Sequence, residues 1–164
     1  MTQFRQLEHH EVQNFTTSKE IILFIEPISS PENIGGIFRI AEAMGVQKIY
    51  WKNVLLDLSN KKITKISRNT NQKILYQNVT DYSILNELQK QGFQISALEL
   101  TTHAQNIHHS TFPNKLVLII GNEAHGVSKE ALALCDSTYF IPMYGENSSM
   151  NLVVSLGIAL NSIV

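Results

Sequence analysis

Residues 116–126 decide the fold, because an apolar run, Leu116–Ile120, passes directly into Gly121-Asn122-Glu123-Ala124-His125-Gly126. A continuous apolar run of this length is typical of a strand that is covered on both faces of a parallel sheet. The two flanking glycines permit sharp turns, which would present backbone groups and the Glu123 carboxylate at the end of the strand. A carboxylate that merely caps local backbone amides would fit the same pattern. The stretch therefore predicts a buried strand that ends in a structured polar loop.

Similar apolar runs recur along the chain and alternate with helical patterns. The predicted strands are Ile21–Ile25, Lys48–Trp51, Lys73–Gln77, Phe93–Leu98, Leu116–Ile120 and Thr138–Ile141. The predicted helices lie near Ile34–Met44, Tyr82–Gln91, Ser128–Leu134 and Met150–Ile163. This alternation predicts an α/β fold with a mainly parallel sheet and helices on both faces. Residues 57–72 are the most polar stretch and are expected to form a long loop, and residues 1–19 are expected to form a short helix or a mobile lead-in.

Length and composition set limits on the kind of protein. A chain of 164 residues without linkers or repeats is expected to form one domain over residues 1–164. Its 13 Lys and Arg balance 14 Asp and Glu, so any nucleic-acid binding would have to come from a local basic patch. The single Cys135 and the lack of an N-terminal apolar stretch favour the reducing cytoplasm. The C-terminal apolar run is too short for a membrane span.

A glycine-containing helix is predicted directly after the first strand. Asn33 can cap this helix, and Gly35 and Gly36 in its first turn would let another backbone or a ligand approach closely. Arg39 follows on the same helix, and taken alone it is typical of a solvent-exposed position. A dinucleotide site is disfavoured because the segment lacks the G-x-G-x-x-G spacing and the second predicted strand ends without an acidic residue.

The last predicted strand leads into a second polar turn. The run Ile141-Pro142-Met143-Tyr144-Gly145 is followed by polar residues up to Ser149 and by Asn151 at the start of an apolar helix. Ser149 and Asn151 would offer hydrogen-bonding groups at the positive end of that helix, where an anion or a polar ligand edge is favoured. As simple helix caps they would be unremarkable.

Three segments in this order resemble the motifs of the SpoU/TrmH-type ribose 2′-O-methyltransferases of the SPOUT superfamily. They are N-x-x-G-x-x-R-x-A at residues 33–41, G-N-E-x-x-G at 121–126, and I-P-M-x-G at 141–145 followed by S-M-N at 149–151. The resemblance covers residues 20–164. It implies a SPOUT fold with a deep C-terminal trefoil knot, S-adenosylmethionine as the cofactor and a homodimer. The helix of the first motif and the C-terminal helix are the candidate interface elements.

The resemblance also implies roles for individual residues. Those expected around the cofactor are Leu98, Gly121, Glu123, Ile141, Met143 and Met150. Those expected to serve catalysis are Arg39, Asn33, Glu123, Ser149 and Asn151. Arg39 would lie beside the reacting hydroxyl, where family proposals make it a base. A guanidinium keeps its proton at neutral pH, so orienting the phosphate and stabilising negative charge is the simpler account.

RNA is the expected substrate, with tRNA preferred and rRNA left open. The residues expected to contact its phosphates are Lys61, Lys62, Lys65 and Arg68, although a solvated polar loop would have the same composition. No metal site is expected, because His108 and His109 would point apart on a strand and no ligand set surrounds them. The alternative function is a catalytically inactive RNA-binding or assembly module. The simultaneous presence of all five expected catalytic residues favours the enzyme.

Overall fold

Seven parallel strands form one sheet in the computed structural model, which describes residues 4–13 and 15–164. The strands are β1 (Glu20–Ile25), β2 (Lys48–Lys52), β3 (Leu75–Val79), β4 (Gln94–Leu98), β5 (Gln105–Asn106), β6 (Lys115–Ile120) and β7 (Ser137–Phe140). Their order across the sheet is β3-β2-β1-β6-β4-β7-β5. All six predicted strands are present, with ends that shift by one or two residues. The additional strand β5 has only two residues, which is too short to produce a sequence pattern.

Helices cover both faces of the sheet, as the continuous apolar runs predicted. They are α1 (Pro31–Ala43), α2 (Lys61–Ser67), α3 (Ser83–Lys90), α4 (Lys129–Leu132) and α5 (Leu152–Ile163). Alternate residues of β1 belong to different cores: Leu23 packs with α1, α2 and α5, whereas Phe24 packs with α3 and α4. The α/β fold is thereby confirmed. The C-terminal knot is not defined by strand order alone and stays a prediction.

Helix α1 begins and ends at well-defined caps. Ser30 accepts a hydrogen bond from the Asn33 N–H at 3.2 Å, and Pro31 occupies the first turn. At the other end Gly45 has φ +70°, and the N–H of Val46 reaches back to the Ala41 carbonyl at 2.9 Å, which closes a Schellman motif. Ser30, and not Asn33 as predicted, is therefore the cap. The Asn33 side chain is left free for another partner.

The two glycines of α1 bring helices together. A Cβ at Gly35 would lie 2.9 Å from the Ile63 carbonyl oxygen of α2, and a Cβ at Gly36 would lie 2.7 Å from Val153 Cγ2 of α5. Real Cβ atoms do not approach other atoms this closely, because interiors are close-packed. Of the two expected reasons for these glycines, the close approach of another segment is the one that the structure shows.

The prediction of a long loop at residues 57–72 is wrong, because this stretch contains α2 and a 3-10 turn at Thr70–Gln72. The polar composition of this stretch indicated a loop, but its polar groups form hydrogen bonds with one another within the folded segment. Ser67 Oγ donates to Asn71 Oδ1 at 2.9 Å and Thr70 Oγ1 donates to the Ser67 carbonyl at 2.6 Å, and all three residues are buried.

Two smaller predictions concern the histidine pair and the N-terminal segment. His108 and His109 lie in a 3-10 turn, Ile107–His109, and not on a strand. The expected lead-in contains a 3-10 turn at His9–Glu11, while residues 1–3 and 14 lie outside the described part. Within residues 4–13 and 15–164, no helix is long and apolar enough to cross a membrane, and no cluster of three or more His, Cys, Asp or Glu side chains could hold a metal.

Candidate active site

A cleft of about 700 Å³ opens at the carboxyl ends of β4, β6 and β7. Parallel sheets bind ligands at this edge, and the volume is typical of a site for a small molecule. The cleft is lined by residues 98–100, 120–123, 139–141 and 148–152, with Gly126, Met143 and Ser155. The second and third motif segments, at residues 121–126 and 141–151, therefore contribute to a single cleft, together with the end of β4.

The structure brings together most of the predicted site residues. All six residues expected around a cofactor line the cleft: Leu98, Gly121, Glu123, Ile141, Met143 and Met150. Ser149 and Asn151 line it as well, at the start of α5. Asn33 and Arg39 do not belong to the cleft wall.

The loop after β6 is tightly closed. The N–H of Asn122 donates to the Gly126 carbonyl and the N–H of Gly126 donates to the Asn122 carbonyl, each at 2.9 Å. A Cβ at Gly121 would lie 2.5 Å from the Val127 nitrogen, so the chain folds back directly over this position. The glycine is required here because backbone atoms occupy the space of any side chain.

Glu99 fastens the same loop to the end of β4. Its Oε2 accepts a hydrogen bond from the Val127 N–H at 2.8 Å, and its Oε1 accepts one from the Leu100 N–H at 3.0 Å. The carboxylate fills the space that a side chain at Gly126 would need, and Gly126 has φ +66°. Glu99 was not among the predicted site residues. The available signal was an acidic residue at a strand end that faces a glycine-bounded loop.

A chain of hydrogen bonds joins the three motif segments. Asn33 Nδ2 donates to Glu123 Oε1 at 2.6 Å, and Asn151 Nδ2 donates to Asn33 Oδ1 at 3.3 Å. Asn151 also caps α5, because its Oδ1 accepts the Val153 N–H at 2.9 Å. The carboxylate of Glu123 is thus held by a neutral amide at the cleft. Asn151 thus caps α5 and lines the cleft, and its catalytic role stays a prediction.

A second carboxylate, Glu26, supports the segment behind the loop. It is 2% exposed at the end of β1 and accepts hydrogen bonds from Ser128 Oγ at 2.7 Å and from the Tyr82 hydroxyl at 2.8 Å. Lys52 Nζ lies 3.9 Å from the Glu26 carboxylate. Burial, with a smaller effect of the Glu26 charge, raises the pKa of Tyr82 to about 12, so its hydroxyl remains a donor at neutral pH. Apart from the acidic residue itself, no sequence pattern indicated this cluster.

Arg39 lies on the exposed surface of α1, outside the cleft. The next residue, Ile40, lines a separate groove of about 550 Å³ between α1 and α5. The other groove residues are Met44, His108, Val153, Val154, Gly157, Ile158, Asn161 and Ser162. The structure thus leaves Arg39 next to the surface that was expected to form a subunit interface.

The expected RNA-contacting residues lie on α2 and at its C-terminal end. Lys61 and Lys65 are exposed one turn apart on α2, and the exposed Arg68 caps its C-terminus in a left-handed conformation; these three residues are called the basic stripe. Lys62 is exposed as well, but it forms an ion pair with Glu32 at the start of α1. The close packing of α2 on Gly35 fixes the basic stripe relative to α1.

Comparisons with known proteins place this architecture in a family. The family model described as the SpoU rRNA Methylase family matches residues 20–161. The tRNA (guanosine(18)-2′-O)-methyltransferase of Aquifex aeolicus is 31% identical over 144 residues, which cover 87% of this chain and 67% of that protein. The 23S rRNA (guanosine-2′-O-)-methyltransferase RlmB of Neisseria meningitidis is 28% identical and aligns over 86% of this chain and 56% of its own length.

Solved structures give the same result for the fold. The crystal structure of the TrmH/SpoU tRNA modifying enzyme of A. aeolicus superimposes with a TM-score of 0.77 and 29% identity, over 88% of this chain and 73% of that one. The chain thus spans between about half and two thirds of the curated relatives named above.

Proposed function

The chain belongs to the SpoU rRNA Methylase family, and from this premise we propose that it transfers a methyl group from S-adenosylmethionine to a ribose 2′-hydroxyl of RNA. The observation that carries the proposal is the cleft at the carboxyl ends of β4, β6 and β7. The motif segments at residues 121–126 and 141–151 form walls of this cleft. The segment at residues 33–41 is joined to it by the hydrogen bond between Asn33 and Glu123. The two relatives compared above are named as 2′-O-methyltransferases of guanosine.

The cleft residues fit S-adenosylmethionine in size and charge. The cleft volume of about 700 Å³ suits a nucleoside-sized molecule, and Leu98, Ile141 and Met143 supply apolar walls. Glu99 and Glu123 place two carboxylates at the cleft, which favours a ligand that carries a positive charge. When bound, the cofactor supplies an electrophilic methyl group on a positively charged sulfur.

The residues of the chain would position and activate the ribose. A hydroxyl must lose its proton as it attacks, so negative charge develops on the nucleotide, and a protonated Arg39 would stabilise that charge and orient the adjacent phosphate. Ser149 and Asn151 at the start of α5 would hold polar groups of the nucleotide at the positive end of the helix. Asn33 would act through Glu123, whose carboxylate it fixes at 2.6 Å.

A homodimer is part of the proposal. The groove between α1 and α5 is lined mainly by apolar side chains, among them Ile40, Val153 and Val154, which suits burial against a second copy. The position of Arg39 beside the groove supports a role for Arg39 close to that interface. The cytoplasmic location expected from the sequence also remains part of the proposal.

Transfer RNA is the proposed substrate class, and ribosomal RNA is the alternative. The first relative compared is named for tRNA and the second for 23S rRNA, so the names support both classes. The basic stripe of Lys61, Lys65 and Arg68 would position either RNA through its phosphates without reading its sequence.

Binding of the cofactor tests the site itself. We expect calorimetry to show micromolar affinity for S-adenosylmethionine and for S-adenosylhomocysteine, together with an increase in melting temperature, because a ligand that binds the native state stabilises it. The absence of heat and of stabilisation at millimolar ligand would contradict the cofactor assignment. Cofactor binding without methyl transfer to any RNA would favour the inactive module.

Reversing charge on the basic stripe tests the RNA surface. Lys61→Glu combined with Lys65→Glu should weaken RNA binding and reduce the slope of log affinity against log salt by about 1.5, because two phosphate contacts are lost. Cofactor affinity should not change. Lys48→Glu combined with Lys90→Glu is the matched control, since it changes the net charge equally at residues of β2 and α3 that lie outside the basic stripe. An equal loss of RNA affinity in both double variants would show a nonspecific effect of net charge. It would contradict the proposal that the basic stripe contacts RNA phosphates.

A further inference from the structure

The loop between β7 and α5 holds an aromatic side chain in solvent at the mouth of the cleft. Tyr144 is 94% exposed and directly follows Met143, which lines the cleft wall. Removing such a ring from water is favourable, so an aromatic side chain in this position is available to a ligand that arrives at the cleft.

The chemistry of the substrate determines what must lie near Tyr144. In a nucleotide the base is attached to the ribose carbon next to the one that carries the 2′-hydroxyl. A ribose whose hydroxyl reaches into the cleft therefore keeps its base at the cleft mouth. Met143, at 38%, and Val154, at 54%, are partly exposed on or next to the cleft wall, whereas Leu100, at 73%, and Tyr144 are the two most exposed of the described apolar side chains there. Of these two, Tyr144 offers a flat face, and unpaired RNA bases are held by stacking on such faces.

We propose that the Tyr144 ring is the stacking platform for the base of the nucleotide whose ribose is methylated. The inference rests on the proposed function and adds a specificity residue to it. Gly145 next to the ring has open space around it, which leaves room for a base to lie over the tyrosine.

A second copy of the chain is the competing occupant of this surface, and the structure favours RNA. The groove next to Ile40 uses Val153, Val154 and Gly157 of α5, whereas the cleft uses Leu152 and Ser155 on a different face of that helix. A second copy of the chain that docks in the groove would therefore contact one face of α5, and a nucleotide that enters the cleft would contact another face.

Substitution of Tyr144 tests stacking directly. With total RNA, which contains tRNA and rRNA, Tyr144→Ala should raise the apparent KM for RNA about tenfold or more, because stacking of one base contributes this much to binding. Tyr144→Phe should remain within about twofold of the wild type, because its ring keeps the stacking face. Affinity for S-adenosylhomocysteine should be equal in all three proteins. Phe15→Ala, which removes a ring that is 89% exposed on the N-terminal segment and outside the cleft wall, is the matched control and should behave as wild type.

A fluorescence measurement makes the test independent of turnover. The natural Trp51 is fully buried, so in Tyr144→Trp the added indole is the one that can respond to RNA. Its emission should be quenched by total RNA in the presence of S-adenosylhomocysteine.

Each other outcome has a defined meaning. An unchanged KM in Tyr144→Ala, or an unquenched Trp in a variant that still binds RNA, would overturn the inference while the function stands. Equal losses in the Ala and Phe variants would assign the effect to the hydroxyl and would also overturn stacking. A changed sedimentation coefficient in Tyr144→Ala would assign the ring to the second copy. Failure of the wild-type protein to bind the cofactor would instead contradict the proposed function.

Discussion

Arg39→Ala is expected to lower the single-turnover rate of methyl transfer by about a hundredfold or more, because it removes a charge-stabilising contact that forms in the transition state. Cofactor affinity should be retained, since Arg39 lies outside the cleft wall. The free energy of unfolding should change by less than about 0.5 kcal/mol, because the side chain is exposed on α1. Rapid-quench assays and calorimetry would measure the two effects separately.

Arg39→Lys distinguishes two accounts of the same residue. Lysine keeps the charge and loses the planar fork, so poor rescue would indicate a bidentate contact with the phosphate and good rescue would indicate a simple electrostatic role. A near wild-type rate for Arg39→Ala on the true substrate would show that the motif resemblance assigned the wrong residue to catalysis.

Gly121→Ala is expected to lower the free energy of unfolding by about 2 kcal/mol or more and to abolish cofactor binding. The new Cβ would lie 2.5 Å from the Val127 nitrogen and closer still to the Gly126 backbone, so the loop that carries Glu123 would have to open. Denaturant titration at fixed protein concentration and calorimetry would measure the two losses.

Gly145→Ala is the control for this prediction. Gly145 lies at the same cleft mouth, and an added Cβ would meet no atom within 4 Å, so stability should stay within about 0.5 kcal/mol of wild type. If Gly121→Ala were as stable as Gly145→Ala, the close packing of the loop would not be a real constraint.

Much of the fold could be predicted because each central strand is buried on both faces. Such strands are continuously apolar, and this pattern located β1 and β6 almost to the residue. The pattern failed where polar groups satisfy one another inside the chain. Residues 57–72 look like a loop in composition, yet Ser67 at the end of α2 donates a hydrogen bond to Asn71 in the following 3-10 turn. Periodicity of apolar residues cannot reveal a helix that is held in this way.

The site could be predicted as three segments but not as a network. The glycine and proline positions located the cleft walls, and all six expected cofactor residues line the cleft. The partners of those residues lie far apart in sequence, as in the bond between Asn33 and Glu123, and only folding reveals them. Glu99 and Glu26 were missed as supports for the same reason: each carboxylate bonds to backbone or hydroxyl groups of a distant loop.

The measurement that tests the central claim most directly is methyl transfer from isotopically labelled S-adenosylmethionine to total RNA, followed by digestion to nucleosides and mass spectrometry. The wild-type protein is predicted to produce a labelled 2′-O-methylated nucleoside at a discrete position, and Arg39→Ala is predicted to produce almost none. Label on a base, or no label in RNA when the protein binds the cofactor, would contradict the assignment of this chain as a ribose 2′-O-methyltransferase.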